Sequence, residues 1–357
     1  MSSSNEKLNL KGININELQN YLKENQIKSF RAKQIFNWIY KNGVKSFEEM
    51  KNLPDELIKF LDNNVVLNNL KLAAKTEASD GTIKYLWELS DGNHIESVYL
   101  PYFNEGRHSV CISTQLGCNI GCKFCATGLS GLTRNLSTAE IMEQVLKIQG
   151  DIAKDDFLDP AITNVVFMGM GEPMNNLDNL LDAVNISNSD YTLNIGMRKM
   201  TISTAGVVPG IRELAVRNKQ IGLAVSLNAP NDSLRDQVMP VNKKYPLSKL
   251  LEAVKEYIEV TKRRVTFEYI MIKNFNEEVE HAYQLRRLLS DMLCHVNLIP
   301  ANPVPELHVK RAQDKKVEKF KEILNEANID TTIRKERGVD IEAACGQLKR
   351  KEDEGAK

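Results

Sequence analysis

Val110-Cys111-Ile112-Ser113-Thr114-Gln115-Leu116-Gly117-Cys118-Asn119-Ile120-Gly121-Cys122-Lys123-Phe124-Cys125 is the stretch on which the fold turns. Val110–Ser113 is an apolar run of the kind that buried parallel strands use. The cysteines that follow are spaced C-x3-C-x2-C, so one short loop can bring three soft thiolates to one centre. A structural zinc site wants four protein ligands, and no fourth Cys or His stands nearby. A four-iron cluster normally takes four thiolates, so three leave one iron open to a substrate. The blander readings are three incidental buried cysteines or a zinc site completed from afar.

Outward from this loop, further apolar runs stand at Asn164-Met168, Met200-Ser203, Ile221-Leu227, Val265-Ile272 and Val296-Ile299. Helical periodicity separates them near 138–150, 177–187, 207–217, 247–262, 277–292 and 314–327. Six such units predict an α/β fold with a parallel sheet, as a barrel or part of one. A doubly wound sheet fits the alternation as well; the motifs favour the barrel. Before it, residues 1–64 predict a helical unit, with apolar stripes Ile15/Leu18/Leu22 and Ile35/Phe36/Ile39/Tyr40 and a third helix opening at Pro54. Residues 65–107 predict connecting β-hairpins, punctuated by Asp80-Gly81 and Asp91-Gly92-Asn93. The barrel spans 108–348, and 349–357 is a charged tail.

Lys plus Arg equals Asp plus Glu at 47 each, so bulk charge points to no nucleic-acid partner and leaves local basic faces open. Met1–Leu10 lacks the apolar core of a signal peptide, and no apolar run reaches the roughly 18 residues of a membrane span. A cytoplasmic protein is expected. Six cysteines in 357 residues do not suggest a disulfide framework.

Phe167-Met168-Gly169-Met170-Gly171-Glu172-Pro173 follows the second strand. It is a poor dinucleotide fingerprint, because Met174 replaces the third glycine and Pro173 disturbs the helix-opening turn. Ser203 and Ser226-Leu227-Asn228 end the next two strands, where barrel ligands bind. Cys111 and Cys345 read by themselves as small buried residues, and Cys294 as core. Glu96, at a hairpin edge, reads as solvated. Lys28/Arg31/Lys33, Lys262-Arg263-Arg264 and Arg334-Lys335 are local basic groups, and Phe30, Trp38 and Tyr40 could grip RNA or belong to the core.

The C-x3-C-x2-C loop resembles the radical S-adenosylmethionine (SAM) superfamily. Together with Cys111-Ile112-Ser113-Thr114-Gln115-Leu116-Gly117-Cys118, the Gly-Met-Gly-Glu-Pro segment, Ser203-Thr204-Ala205-Gly206, Ser226-Leu227-Asn228-Ala229-Pro230-Asn231-Asp232 and Ala343-Ala344-Cys345-Gly346-Gln347-Leu348, it is similar to the RlmN family of RNA adenine C2-methyltransferases, from about residue 14 to 348. The resemblance implies a partial (β/α)6 barrel and a [4Fe-4S] cluster on Cys118, Cys122 and Cys125. It implies two SAM per turnover, contacted by Gly171, Glu172, Ser203, Ser226, Leu227, Asn228 and Asn302. Asn228 stands where many relatives carry His; both can donate a hydrogen bond.

The implied reaction makes 2-methyladenosine in 23S rRNA and tRNA. Cys345 becomes S-methylcysteine, its methylene radical adds to the adenine, and protein and RNA are transiently joined. Glu96 matches the implied base, and Cys111 releases the product by attacking Cys345, leaving a disulfide. A monomer served by an electron donor such as flavodoxin or ferredoxin is implied. The alternatives are a Cfr-like adenine C8 methyltransferase, a radical enzyme acting on a small molecule, and a non-catalytic metal-containing RNA-binding protein. Pro173 and Asn231-Asp232 look more like the C2 enzymes.

Overall fold

The computed structural model describes residues 7–67, 70–154, 156–302 and 309–348. The tail assigned to 349–357, and the first six residues, lie outside them. The chain opens with β1 (Leu8–Asn9), α1 (Ile15–Glu24), α2 (Arg31–Tyr40), α3 (Asp55–Asn64) and β2 (Val65–Val66), and β1 pairs parallel to β2. Asn14 and Glu17 form a reciprocal capping box that starts α1. Leu18 and Leu22 on α1 and Ile35, Phe36, Ile39 and Tyr40 on α2 are buried, as the apolar stripes require. The aromatics divide: Tyr40 is core, Trp38 is half-buried with its indole N–H donated to Asn52, and Phe30 is exposed.

Glu143 ties this unit to the barrel. It is fully buried, accepting from the Asn9 side chain at 2.8 Å and from the Leu70 backbone N–H at 2.8 Å. Lys11, buried nearby, feels its charge. Glu143→Ala would leave that lysine and the Leu70 N–H without their carboxylate. Breaking a buried charged contact costs on the order of 3 kcal/mol, so the variant is expected to show a lowered first transition in thermal unfolding. An unchanged melting curve would mean the unit docks by apolar contact alone.

The remaining strands are β3 (Lys71–Glu77), β4 (Ile83–Glu88), β5 (His94–Tyr102), β6 (Arg107–Cys111), β7 (Gln115–Gly117), β8 (Leu132–Asn135), β9 (Asn164–Phe167), β10 (Met200–Thr204), β11 (Gly222–Ser226), β12 (Val265–Met271), β13 (Cys294–Pro300) and β14 (Asp330–Ile333). Ten of them form one sheet in the order β14-β13-β12-β11-β10-β9-β6-β5-β4-β3. From β6 to β14 all neighbours are parallel, and from β6 back to β3 all are antiparallel. The sheet ends on β14 and β3 without closing, so the barrel is partial. The helices α4 (Thr138–Ile152), α5 (Leu177–Asn188), α6 (Val208–Arg217), α7 (Asp232–Val238), α8 (Leu247–Thr261), α9 (Val279–Leu289) and α10 (Asp314–Asn325) connect the parallel strands. Among the described residues, no helix is long and apolar enough to cross a membrane.

Two features differ from the sequence reading. The parallel part has one strand more than six, because β14 follows α10. Its sequence, Asp330-Thr331-Thr332-Ile333, is an edge strand with exposed alternate residues, so it carries no apolar run. Glu96 is not at a hairpin edge: β5 lies inside the sheet between β4 and β6, and the residue is 1% exposed.

Candidate active site

The C-terminal ends of the parallel strands surround a cavity that opens to solvent. Cys118, Cys122 and Cys125 line one side, and Gly171, Glu172, Ser203 and Ser226 line another. The cysteine loop is framed by the β7–β8 hairpin, where the Cys118 N–H donates to the Gly131 carbonyl at 2.8 Å. Burial pushes the Cys118 thiol up to about 12, and burial with mutual repulsion also raises Cys122. Thiols in such a place stay protonated unless a cation holds them as thiolates. Among the described residues, no fourth Cys or His lines the cavity beside them except Cys345. In a cluster each sulfur binds a different iron.

Glu172 is 2% exposed. One of its oxygens accepts from the Ala205 N–H at 2.7 Å and the other from the Met174 N–H at 3.1 Å, while burial pushes its carboxyl up. The glycines before it line the cavity and are also closely packed against the neighbouring strand end. A Cβ on Gly169 would stand 2.8 Å from the Ile112 backbone, and one on Gly171 (φ +105°) 2.5 Å from the Gln115 Cβ.

A second, outer cavity adjoins it beside β5 and β6. Cys111, Asn302, Tyr102 and Arg337 line it, and it shares Cys125, Met168, Gly169, Arg334 and Cys345 with the first. Cys345 therefore stands in the wall between the two. Its loop is held from several sides. Ala126 N–H donates to the Gly346 carbonyl at 2.8 Å, Thr127 Oγ1 to the Leu348 carbonyl at 2.6 Å, Asn302 Nδ2 to the Cys345 carbonyl at 3.2 Å, and Lys84 Nζ to the Glu342 carbonyl at 3.2 Å. Gly346, at φ +84°, makes the turn that allows this. Cys111 is buried, and burial first and Cys345 second push its thiol up to about 12, against the pull of Arg334.

Glu96 sits two and four residues before Val98 and Leu100, which line the outer cavity, so the alternation of β5 puts it on their face. Its carboxylate lies 3.6 Å from Lys84 Nζ. Leu227 and Asn228 do not line either cavity. Leu227 is fully buried, and Asn228, at φ +60°, uses its side-chain oxygen on the Ile270 N–H at 2.9 Å. Lys262–Arg264 precede β12, at the strand ends opposite the cavity.

Sequence reading missed Arg235. It is fully buried, and its guanidinium donates to the carbonyls of Leu227 (3.0 Å), Ala205 (2.7 Å) and Ser226 (3.2 Å) and to Asn242 Oδ1 (2.8 Å). It thus fixes the two strand ends that present Ser226 and the Glu172-binding N–H of Ala205. In the sequence it is one charge on a short helix, and nothing there distinguishes it from a solvated one.

Residues 112–286 match the family model of the radical SAM superfamily, and residues 8–67 match that of the ribosomal RNA large subunit methyltransferase N-terminal domain. The chain is 46% identical to the probable dual-specificity RNA methyltransferase RlmN of Bacillus velezensis, over 95% of this chain and 92% of the relative. It is 44% identical to the protein of the same description from Staphylococcus aureus, over 97% and 94%. The chain belongs to the RlmN family. The crystal structure of a radical SAM methyltransferase from Sphaerobacter thermophilus superposes with a TM-score of 0.91 at 41% identity, covering 96% of this chain and 99% of that one.

Membership of RlmN within the radical SAM superfamily implies a 4Fe-4S cluster and SAM, and the residues fit both. The three cavity thiols would hold the cluster. Glu172, Ser203 and Ser226 line the same cavity and could hold the polar groups of SAM. Asn302 is 8% exposed and its Oδ1 has no hydrogen-bond partner among the described residues, an acceptor that a ligand N–H or O–H would satisfy. Gly171→Ala, strained in backbone and pressed against Gln115, should displace Glu172. An affinity for SAM lowered by about tenfold or more is expected in equilibrium dialysis of the reconstituted protein. Wild-type affinity would show that Glu172 tolerates the shift.

Proposed function

We propose that the chain methylates carbon 2 of adenosine in 23S rRNA and in tRNA, with Cys345 as the methyl carrier. The observation that carries this is the placement of Cys345 in the wall shared by a cavity lined with the cluster thiols and a cavity lined with Cys111. Carbon 2 of adenine is electron-poor and does not attack a sulfonium methyl, so the carbon must arrive as a radical. The cluster and SAM, when bound, supply the methyl group and a hydrogen-abstracting radical.

The Cys345 sulfur takes the methyl and becomes a thioether. After one hydrogen is removed, its methylene carbon bonds to adenine carbon 2 in the outer cavity. Once the adduct radical has passed one electron to the oxidised form of the electron-carrier partner, Glu96 takes the carbon 2 proton, and Lys84 beside it steadies the carboxylate. The Cys111 thiolate then attacks the Cys345 sulfur. The S–CH2 bond breaks, an S–S bond forms, and the released carbon is protonated to the methyl of the product. All six cysteines are free in the structure, and the disulfide proposed here forms in this step. The target base must leave its stack to reach Cys345, and the N-terminal unit would grip the surrounding RNA. The reaction belongs in the cytoplasm, run by a monomer and fed by a donor such as flavodoxin or ferredoxin.

Nucleoside mass spectrometry of rRNA and tRNA from a strain lacking the protein tests this. Loss of 2-methyladenosine, restored by the intact gene, is expected. Loss of 8-methyladenosine alone would assign the C8 reaction instead.

A further inference from the structure

The outer cavity carries a charge imbalance that the overall neutral composition hides. Among the described residues its charged lining side chains are Arg334, Lys335, Glu336 and Arg337, and the one carboxylate of these, Glu336, is paired with Arg311. At its rim the Tyr102 ring has two guanidinium groups close to it, Arg107 Cζ at 3.6 Å and Arg337 Cζ at 4.3 Å from the ring centroid. Each has an acidic neighbour. Arg107 reaches one oxygen of Glu105 from Nη2 at 3.0 Å and from Nε at 3.1 Å, and Arg337 lies 3.9 Å from Asp80. The Nε of Arg337 is buried without a hydrogen-bond partner among the described residues.

Two guanidinium groups held against one ring keep a positive potential there that an anion shared between them would lower further. Stacking on the phenol fixes their planes, so little side-chain freedom is lost when a ligand arrives. Guanidinium edges match phosphate oxygens bidentately, and guanidinium faces stack on nucleobases. A planar, cationic rim beside a cavity that holds the reactive sulfur suits a single-stranded nucleotide.

We propose that Arg107, Tyr102 and Arg337 form a seat for the RNA nucleotide adjoining the one whose base enters the outer cavity, binding its phosphate and stacking on its base. This rests on the RNA-methyltransferase reading above.

The test uses the reconstituted full-length enzyme and a transcript of the peptidyl-transferase region of 23S rRNA, with variants compared at equal cluster content. R107Q/R337Q is expected to weaken RNA binding about tenfold to a hundredfold and to lower the slope of log affinity against log salt by about 1, for the one phosphate they share. R107K/R337K should keep the slope and still lose affinity, because the charges remain while the planar forks are gone. Y102F should bind as wild type and Y102L more weakly. On the unmodified enzyme, the transcript should protect Arg107 and Arg337 from phenylglyoxal, a readout that needs no variant to fold.

Wild-type affinity and slope in R107Q/R337Q, or no protection, overturns the seat. So does unaltered RNA binding with slowed reduction by flavodoxin, which would give the rim to the electron donor. A wild-type enzyme that methylates Cys345 but never RNA overturns the underlying reading as well. One that methylates RNA while R107Q/R337Q binds normally overturns the seat alone.

Discussion

Cys345→Ala is expected to abolish RNA methylation, by about 10^4-fold or more, because it removes the atom on which the transferred carbon travels. The iron and sulfide content should hold, since the three-thiol set is complete without Cys345, whose loop meets the cysteine loop through the Ala126 N–H and the Gly346 carbonyl and not through its sulfur. The loop around position 345 is held by backbone and side-chain contacts that do not use its sulfur. Loss of activity in this variant would therefore be chemical. The measurement is transfer of labelled methyl from SAM to an rRNA transcript, beside mass spectrometry of the tryptic peptide containing residue 345. Methylated RNA from the alanine variant would contradict the carrier role outright.

Removing Cys111 should have the opposite signature. Cys111→Ala is expected to stop turnover after the carbon–carbon bond has formed, so a covalent protein–RNA species accumulates. It should appear as a band that resists denaturation and disappears on nuclease treatment. The same residue sets a pH dependence in the wild type. Burial and the neighbouring Cys345 push its thiol up to about 12, so at neutral pH it is almost wholly protonated. Below that value the thiolate fraction grows about tenfold for each unit of rising pH. Single-turnover release should accelerate from pH 7 to pH 9, while formation of the adduct need not. A release step indifferent to pH would place the proton transfer on another group.

Much of this arrangement is legible in the residues. The apolar runs at 164–168, 200–203, 221–227 and 265–272 became β9 to β12 because a strand covered on both faces has no polar side to display. The cysteine spacing delivered its three thiols to one cavity because a loop that short leaves them nowhere else to go.

What stayed hidden depends on long-range contact. β14 is polar and at an edge, so it has no hydrophobic signature. Glu96 reads as solvated until the sheet is known to continue past β5 on both sides. Leu227 and Asn228 stand beside a cavity-lining serine in sequence, yet they turn away into the packing below it. Arg235 acts through three carbonyls from two strand ends, and no local pattern encodes that.

Anaerobic iron and sulfide analysis, joined to electron paramagnetic resonance of the reduced protein with and without SAM, reaches the foundation most directly. About four irons per chain are expected, with a spectrum that changes when SAM is added, because three thiols leave one iron for the ligand. A colourless protein that takes up no iron when iron and sulfide are supplied, or a spectrum blind to SAM, would contradict an open iron at Cys118, Cys122 and Cys125.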